Sequence, residues 1–104
     1  MPQLTLYRDG LANLNGDATR TLPAGADSLL LLPPAGPRRR WLLLPASAGV
    51  EGEIRLIGRA DRGNLRFRAP ALAVALFAAL PDSQQSISLR LYTSGAGRGW
   101  QLVA

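Results

Sequence analysis

At 104 residues and 47% apolar side chains, the chain is long enough to bury one hydrophobic core and too apolar for a disordered segment. It contains no cysteine and no histidine, which removes disulfides, thiolate chemistry, the commonest general base and the commonest metal ligand. The net charge is +5 and every basic residue is arginine, a balance that suits a polyanionic partner. A coding bias toward G and C is the simpler account of arginine over lysine, and the positive sign stands under either.

Residues 1–9 alternate apolar and polar and carry charge early, unlike a secretory signal. Leu4 and Leu6, then Ala12 and Leu14, stand at alternate positions on either side of the turn residues Asp9 and Gly10. That pattern predicts two half-buried strands over 4–8 and 11–15. A short helix follows over 17–22, with Asn15 or Asp17 as its cap, and ends at Pro23. Four leucines at 29–32 do not alternate, which predicts a strand buried on both faces, at the centre of the domain or at a contact between chains. Trp41 opens a fourth strand, and the segment 45–53, rich in Ala, Gly and Ser, reads as a linker.

Beyond the linker the same order returns. Strands are expected over 54–59 and 63–68, where Leu65 and Phe67 alternate with Arg66 and Arg68. Pro70 suits a first helical position, and Leu72, Leu76 and Leu80 then recur every fourth residue, with Val74 and Phe77 widening the apolar face before Pro81. The longest uncharged apolar stretch, 69–81, is shorter than the roughly 20 residues that span a bilayer, so the expectation is a cytoplasmic protein. Ile87, Leu89 and Leu91 alternate with Ser88, Arg90 and Tyr92, and Gly95 to Gly99 form a hairpin turn before Trp100. No helix follows that glycine run, so a nucleotide-binding loop is not its reading.

These elements form an internal repeat. Leu30, Leu32, Gly36, Arg39, Trp41 and Leu43 fall without a gap on Leu89, Leu91, Gly95, Arg98, Trp100 and Leu102. Residues 10–15 lie on residues 63–68 as well, at a different spacing. The chain is therefore expected to be one domain, 1–104, of two β-β-α-β-β repeats, 3–44 and 54–103, joined by the linker 45–53. The fold class is mainly β with short helices, a pseudo-two-fold β-barrel. A double-psi barrel and an antiparallel sandwich fit the repeat as well.

A β-β-α-β-β unit used twice resembles the swapped-hairpin DNA-binding fold of the AbrB/MazE/MraZ-type transcription factors. The resemblance rests on Gly10, the strand from Leu11, the helix ending at Leu22, and Pro23, Gly25 and Asp27 before Leu29; Gly63 and Pro70 follow it in outline. Neither repeat has the family's proline directly after the second strand. The resemblance implies that DNA is held by basic residues of the first two strands of a repeat and the turn joining them. In this chain those are Arg55, Arg59, Arg62, Arg66 and Arg68, with Arg8 in the first repeat. Asn13 and Asn15 stand where the second repeat has Arg66 and Arg68. Arg38, Arg39 and Arg40 make a second basic cluster, and its neighbour Trp41 is expected to pack against its own hairpin.

The function expected is a DNA-binding protein of the transcription-regulator or nucleoid type, non-enzymatic, without cofactor or metal, and with double-stranded DNA as partner. A monomeric pseudo-dimer is favoured over a homodimer. The alternative is a protein-interaction or assembly module, motivated by the leucines at 29–32 and the uncharged helix over 70–80.

Overall fold

The first two strands do what their alternation requires in the structure, a computed structural model that describes residues 1–22, 27–37, 40–46, 51–58, 65–93 and 99–103. Strand β1 (Gln3–Tyr7) turns Leu4 and Leu6 fully inward, and β2 (Leu11–Leu14) does the same with Ala12 and Leu14. They run antiparallel with Leu4 opposite Leu14 and Leu6 opposite Ala12, so two alternations merge into one apolar face. The turn depends on Gly10, whose φ is +99° and whose added Cβ would lie 3.1 Å from the Pro70 Cα. Asp9 secures it by accepting the Leu11 amide at 3.0 Å.

Helix α1 (Gly16–Thr21) is six residues long, too short to persist without a cap. Asn15 supplies it. Its side-chain oxygen accepts the Ala18 amide at 2.9 Å and the Gln3 amide at 3.1 Å, and its amide group donates to the Met1 carbonyl at 2.9 Å. The cap therefore also fastens the helix to the start of β1. Asp17, in the first turn, accepts from the Met1 ammonium and from Arg20, which hold its carboxyl below the usual carboxylate range. Asn15→Ala is expected to cost about 2 kcal/mol, the upper end of the range for a lost cap, read as a lowered midpoint in thermal unfolding.

Strands β3 (Ser28–Leu32) and β4 (Leu42–Ala46) pair with Leu29 opposite Pro45 and Leu31 opposite Leu43. Leu29 and Leu43 are fully buried. Leu30 and Leu32, paired with Leu44 and Leu42, take the outer face, and Leu32 keeps 39% of its surface. The leucine run is thus buried on one side and only partly covered on the other. Pro45 and Ala46 belong to β4 rather than to a linker, and Pro45 lies beyond the two-residue stretch where β4 meets the last strand. A residue without an N–H is tolerated where the ladder has ended. Residues 47–50 lie outside the described residues.

Of the expected strand over 54–59, Ile54–Arg55 forms β5, which pairs with β3. The partner expected beside it, β6 (Arg66–Arg68), pairs on its other edge with β2, Ala12 opposite Phe67. Among the described residues the two segments meet at one bridge, Ile57 and Arg66 exchanging backbone hydrogen bonds of 2.6 and 2.9 Å. Helix α2 (Pro70–Phe77) buries Leu72, Ala73 and Phe77, while Leu76 and Leu80 pack half-buried against the core. Val74, expected on the apolar face, is 74% exposed. At about 100° per residue it lies about 200° round from Leu72, away from the stripe that Ala73, Leu76 and Phe77 continue. Strands β7 (Ser86–Thr93) and β8 (Trp100–Val103) complete the sheet, with Leu89, Leu91, Trp100 and Leu102 buried.

All eight strands belong to one antiparallel sheet in the order β5-β3-β4-β8-β7-β1-β2-β6. Its two ends, β5 and β6, meet at the Ile57–Arg66 bridge, so the sheet is nearly closed into a barrel. The hairpin β1–β2 lies between β7 and β6, and the hairpin β3–β4 lies between β5 and β8. Exchanging β1 to β4 for β5 to β8 leaves every neighbour relation unchanged. The barrel interior is filled by leucine with Phe67 and Trp100.

Candidate nucleic-acid interface

The pleat decides which side chains reach solvent on the four adjacent strands β6, β2, β1 and β7. Phe67 points into the core with no exposed surface, so Arg66 and Arg68 on either side of it point out. Cross-strand register then carries the outer face around the barrel. Arg68 is opposite Leu11, and Arg66 is opposite Asn13, which is opposite Thr5, which is opposite Ser88. One row over, Gln3 is opposite Arg90, and Tyr7 is opposite Ser86. The outward positions of these strands hold arginine, hydroxyl, amide and aromatic groups with Leu11, and no carboxylate.

Arg68 is exposed, and its guanidinium donates to the Asp9 carbonyl at 2.9 Å, which sets it against the β1–β2 turn. Arg55 is exposed on β5, with its Nε 4.0 Å from a Glu53 oxygen; that carboxylate also accepts from the Ser28 hydroxyl. Counting outward in antiparallel register from the Ile57–Arg66 bridge, Arg55 and Arg68 occupy facing positions across the seam of the barrel. Arg59 and Arg62 lie outside the described residues, as do Arg38 and Arg39.

Arg8 has a different place. It is half-buried, donates to the Gln84 carbonyl at 3.0 Å and the Pro81 carbonyl at 2.6 Å, and lies 4.6 Å from the centre of the Phe77 ring. Its guanidinium clamps the segment after α2 onto β1, with a cation–π contact beneath. Asn15 is likewise occupied as the cap of α1. The structure therefore brings Arg66 and Arg68 together, sets Arg55 across the seam, and gives Arg8 an internal role.

Two features of this face were not among the expected contacts. Arg90 stands on the same outer surface, two strands from β2. Its outward direction was visible in the alternation of β7, but its neighbourhood depends on β7 pairing with β1. The second is an open cleft of about 390 Å³ beside the β1–β2 turn, lined by Tyr7, Arg8, Asp9, Leu11, Asn13 and Gln85. In its wall the Asn13 Oδ1 is occluded from solvent and has no hydrogen-bond partner. An orphaned acceptor of this kind costs free energy that a suitable donor would recover.

Among the described residues no group of three or more Asp, Glu, His or Cys side chains could hold a metal ion. None of their helices is long and apolar enough to cross a membrane. No family model, curated protein or solved structure matches the chain.

Proposed function

We propose that the chain binds DNA, as a protein of the transcription-regulator or nucleoid type, and holds phosphates with Arg66, Arg68 and Arg90 while Arg55 flanks them. The observation that carries this reading is the outer face of β6-β2-β1-β7, where arginines stand among hydroxyl and amide side chains at positions free of carboxylates. Arginine grips phosphate with two prongs, and hydroxyl and amide groups supply further contacts to the strand. The alternation of hairpins from the two halves of the chain supports a swapped-hairpin, AbrB-like architecture as the scaffold. The role is a binding one, without catalysis or cofactor, and its setting is the cytoplasm. The test is retardation of labelled duplex DNA by micromolar protein. Three engaged phosphates give a slope of log affinity against log salt of about −3. Absence of any shift at low ionic strength overturns the proposal.

One observation favours a second reading, an assembly module. Leu30, Leu32, Leu42 and Leu44 form an apolar patch on the outer side of β3–β4, opposite in character to the arginine face. A stable protein partner recovered with the chain, with no DNA shift, would decide for it.

Since β1 pairs with β7, β2 with β6, β3 with β5 and β4 with β8, each half of the chain supplies strand edges to the other. The expected result in light scattering is a constant mass of 11.1 kDa over a range of concentrations. An obligate dimer at every concentration would show that halves exchange between chains instead.

A further inference from the structure

We propose that the arginine face takes DNA best as an unpaired strand, whose bases stack on Tyr7 and Tyr92 while its phosphates lie on Arg66, Arg68 and Arg90. This rests on the DNA-binding reading and names the form of DNA that the face holds.

Both tyrosines of the chain stand on this outer surface. Leu6 and Leu91, their neighbours in β1 and β7, are buried, so the pleat turns the two rings outward. Tyr7 keeps 37% of its surface and Tyr92 keeps 40%. Each ring has an exposed arginine near it. Arg90 precedes Tyr92 by two residues on the same strand, about 7 Å along it. Arg68 is opposite Leu11, and the register that sets Ala12 against Leu6 brings Leu11 to Tyr7. Arg68 is therefore two strand spacings from Tyr7, about 10 Å. Tyr7 is opposite Ser86, so six residues of β7, about 20 Å, separate the two rings. That distance is about six nucleotides at the 3.4 Å rise of a stacked strand, so the rings serve different bases of one strand.

Two features select an unpaired strand over a duplex. The first is the exposed rings. Within a duplex the faces of the bases are covered by their neighbours, and only an unpaired strand presents faces for a tyrosine to stack on. The second is curvature. Arg66 on β6 and Arg90 on β7 are three strand steps apart in a sheet of eight strands nearly closed on itself. Their outward directions consequently differ by on the order of 135°. A single strand follows such a turn freely, whereas a duplex, stiff over about 150 bp, has to be bent to reach both sides. Stacking on a ring accepts any base, so the preference is for the form of the DNA and not for its sequence.

The experiment is fluorescence anisotropy with a labelled DNA 12-mer of mixed sequence, alone and as its duplex, over a series of salt concentrations. The wild-type chain is expected to bind the single strand on the order of tenfold more tightly than the duplex. Three phosphates at about 0.7 each give the single strand a salt slope of about −2. Tyr7→Leu and Tyr92→Leu keep the bulk of the side chain and lose the ring. Each loosens the single strand about tenfold and the duplex less than about twofold, with the salt slope unchanged. Tyr7→Phe and Tyr92→Phe keep the ring and the affinity. A duplex bound as tightly as the single strand by the wild type, or a single-strand affinity that survives both leucine variants, overturns the stacking and leaves the DNA-binding reading standing. Failure to bind either form overturns both.

Discussion

Replacing Arg66 and Arg68 together by alanine is expected to flatten the salt dependence of DNA binding, lowering the slope of log affinity against log salt by about 2. Each of the two guanidiniums that leaves a phosphate also leaves one counterion less to be released, and for duplex DNA the slope changes by about 0.9 per contact. The affinity at low salt falls with it, so the double variant differs from the wild type most in dilute buffer and least in concentrated salt. The comparison that gives the result meaning is Arg8→Ala. Arg8 holds the Pro81 and Gln84 carbonyls and lies on Phe77, so its loss lowers the unfolding midpoint and leaves the slope unchanged. Arg68 also touches the Asp9 carbonyl, and Arg66→Ala alone separates lost phosphate contact from a loosened turn. An unchanged slope in the double variant would place the contact surface elsewhere.

Phe67→Ala is expected to cost about 3–5 kcal/mol, the range for emptying a fully buried aromatic position. Domains of this size are stable by roughly 5–15 kcal/mol, so the substitution removes a large part of the total. At about 4–8 °C per kcal/mol, the melting midpoint falls by roughly 12–40 °C. Phe67 has no exposed surface and sits in a strand of three residues that both extends β2 and meets Ile57 at the seam. Loss of the ring should therefore also open the seam, read as faster hydrogen exchange of the Ile57 and Arg66 amides. Val74→Ala is the control: that side chain is 74% exposed, and the expected change is within about 0.5 kcal/mol.

Local pattern carried much of the architecture. Leu4 and Leu6, or Leu89 and Leu91, declare an inward face because a strand repeats every two residues, and Pro70 declares the start of a helix because its φ and missing N–H fit only there. Pairing between distant segments was not legible in the same way. Nothing in residues 54–68 says that β5 takes β3 as neighbour while β6 takes β2, since backbone hydrogen bonds look alike from any strand and register emerges only when the core is filled. Of the basic hairpin expected over Arg55–Arg68, the described residues show the antiparallel Ile57–Arg66 bridge, and residues 59–64 lie outside them. Val74 is apolar, yet its angle on the helix lies off the buried stripe, so side-chain type alone does not place it on that face. Arg8 looked like a surface cation until the carbonyls after α2 supplied its partners. Arg66 and Arg68 were legible because Leu65 and Phe67 fixed the pleat around them.

The alternation of hairpins around the barrel imposes an order of events on a chain that is made from one end. Strand β1 needs β7 beside it, Leu4 against Leu89, and β2 needs β6. At ribosomal rates of about 5–20 residues per second, the first hairpin waits roughly 4–16 s for the strand that covers its open edge. During that interval its backbone donors and acceptors are a template for any other extended chain nearby, including the same hairpin on a neighbouring nascent copy. The barrel is thus most exposed to mispairing when it is half made, and crowded, rapid expression is where misassembly should begin.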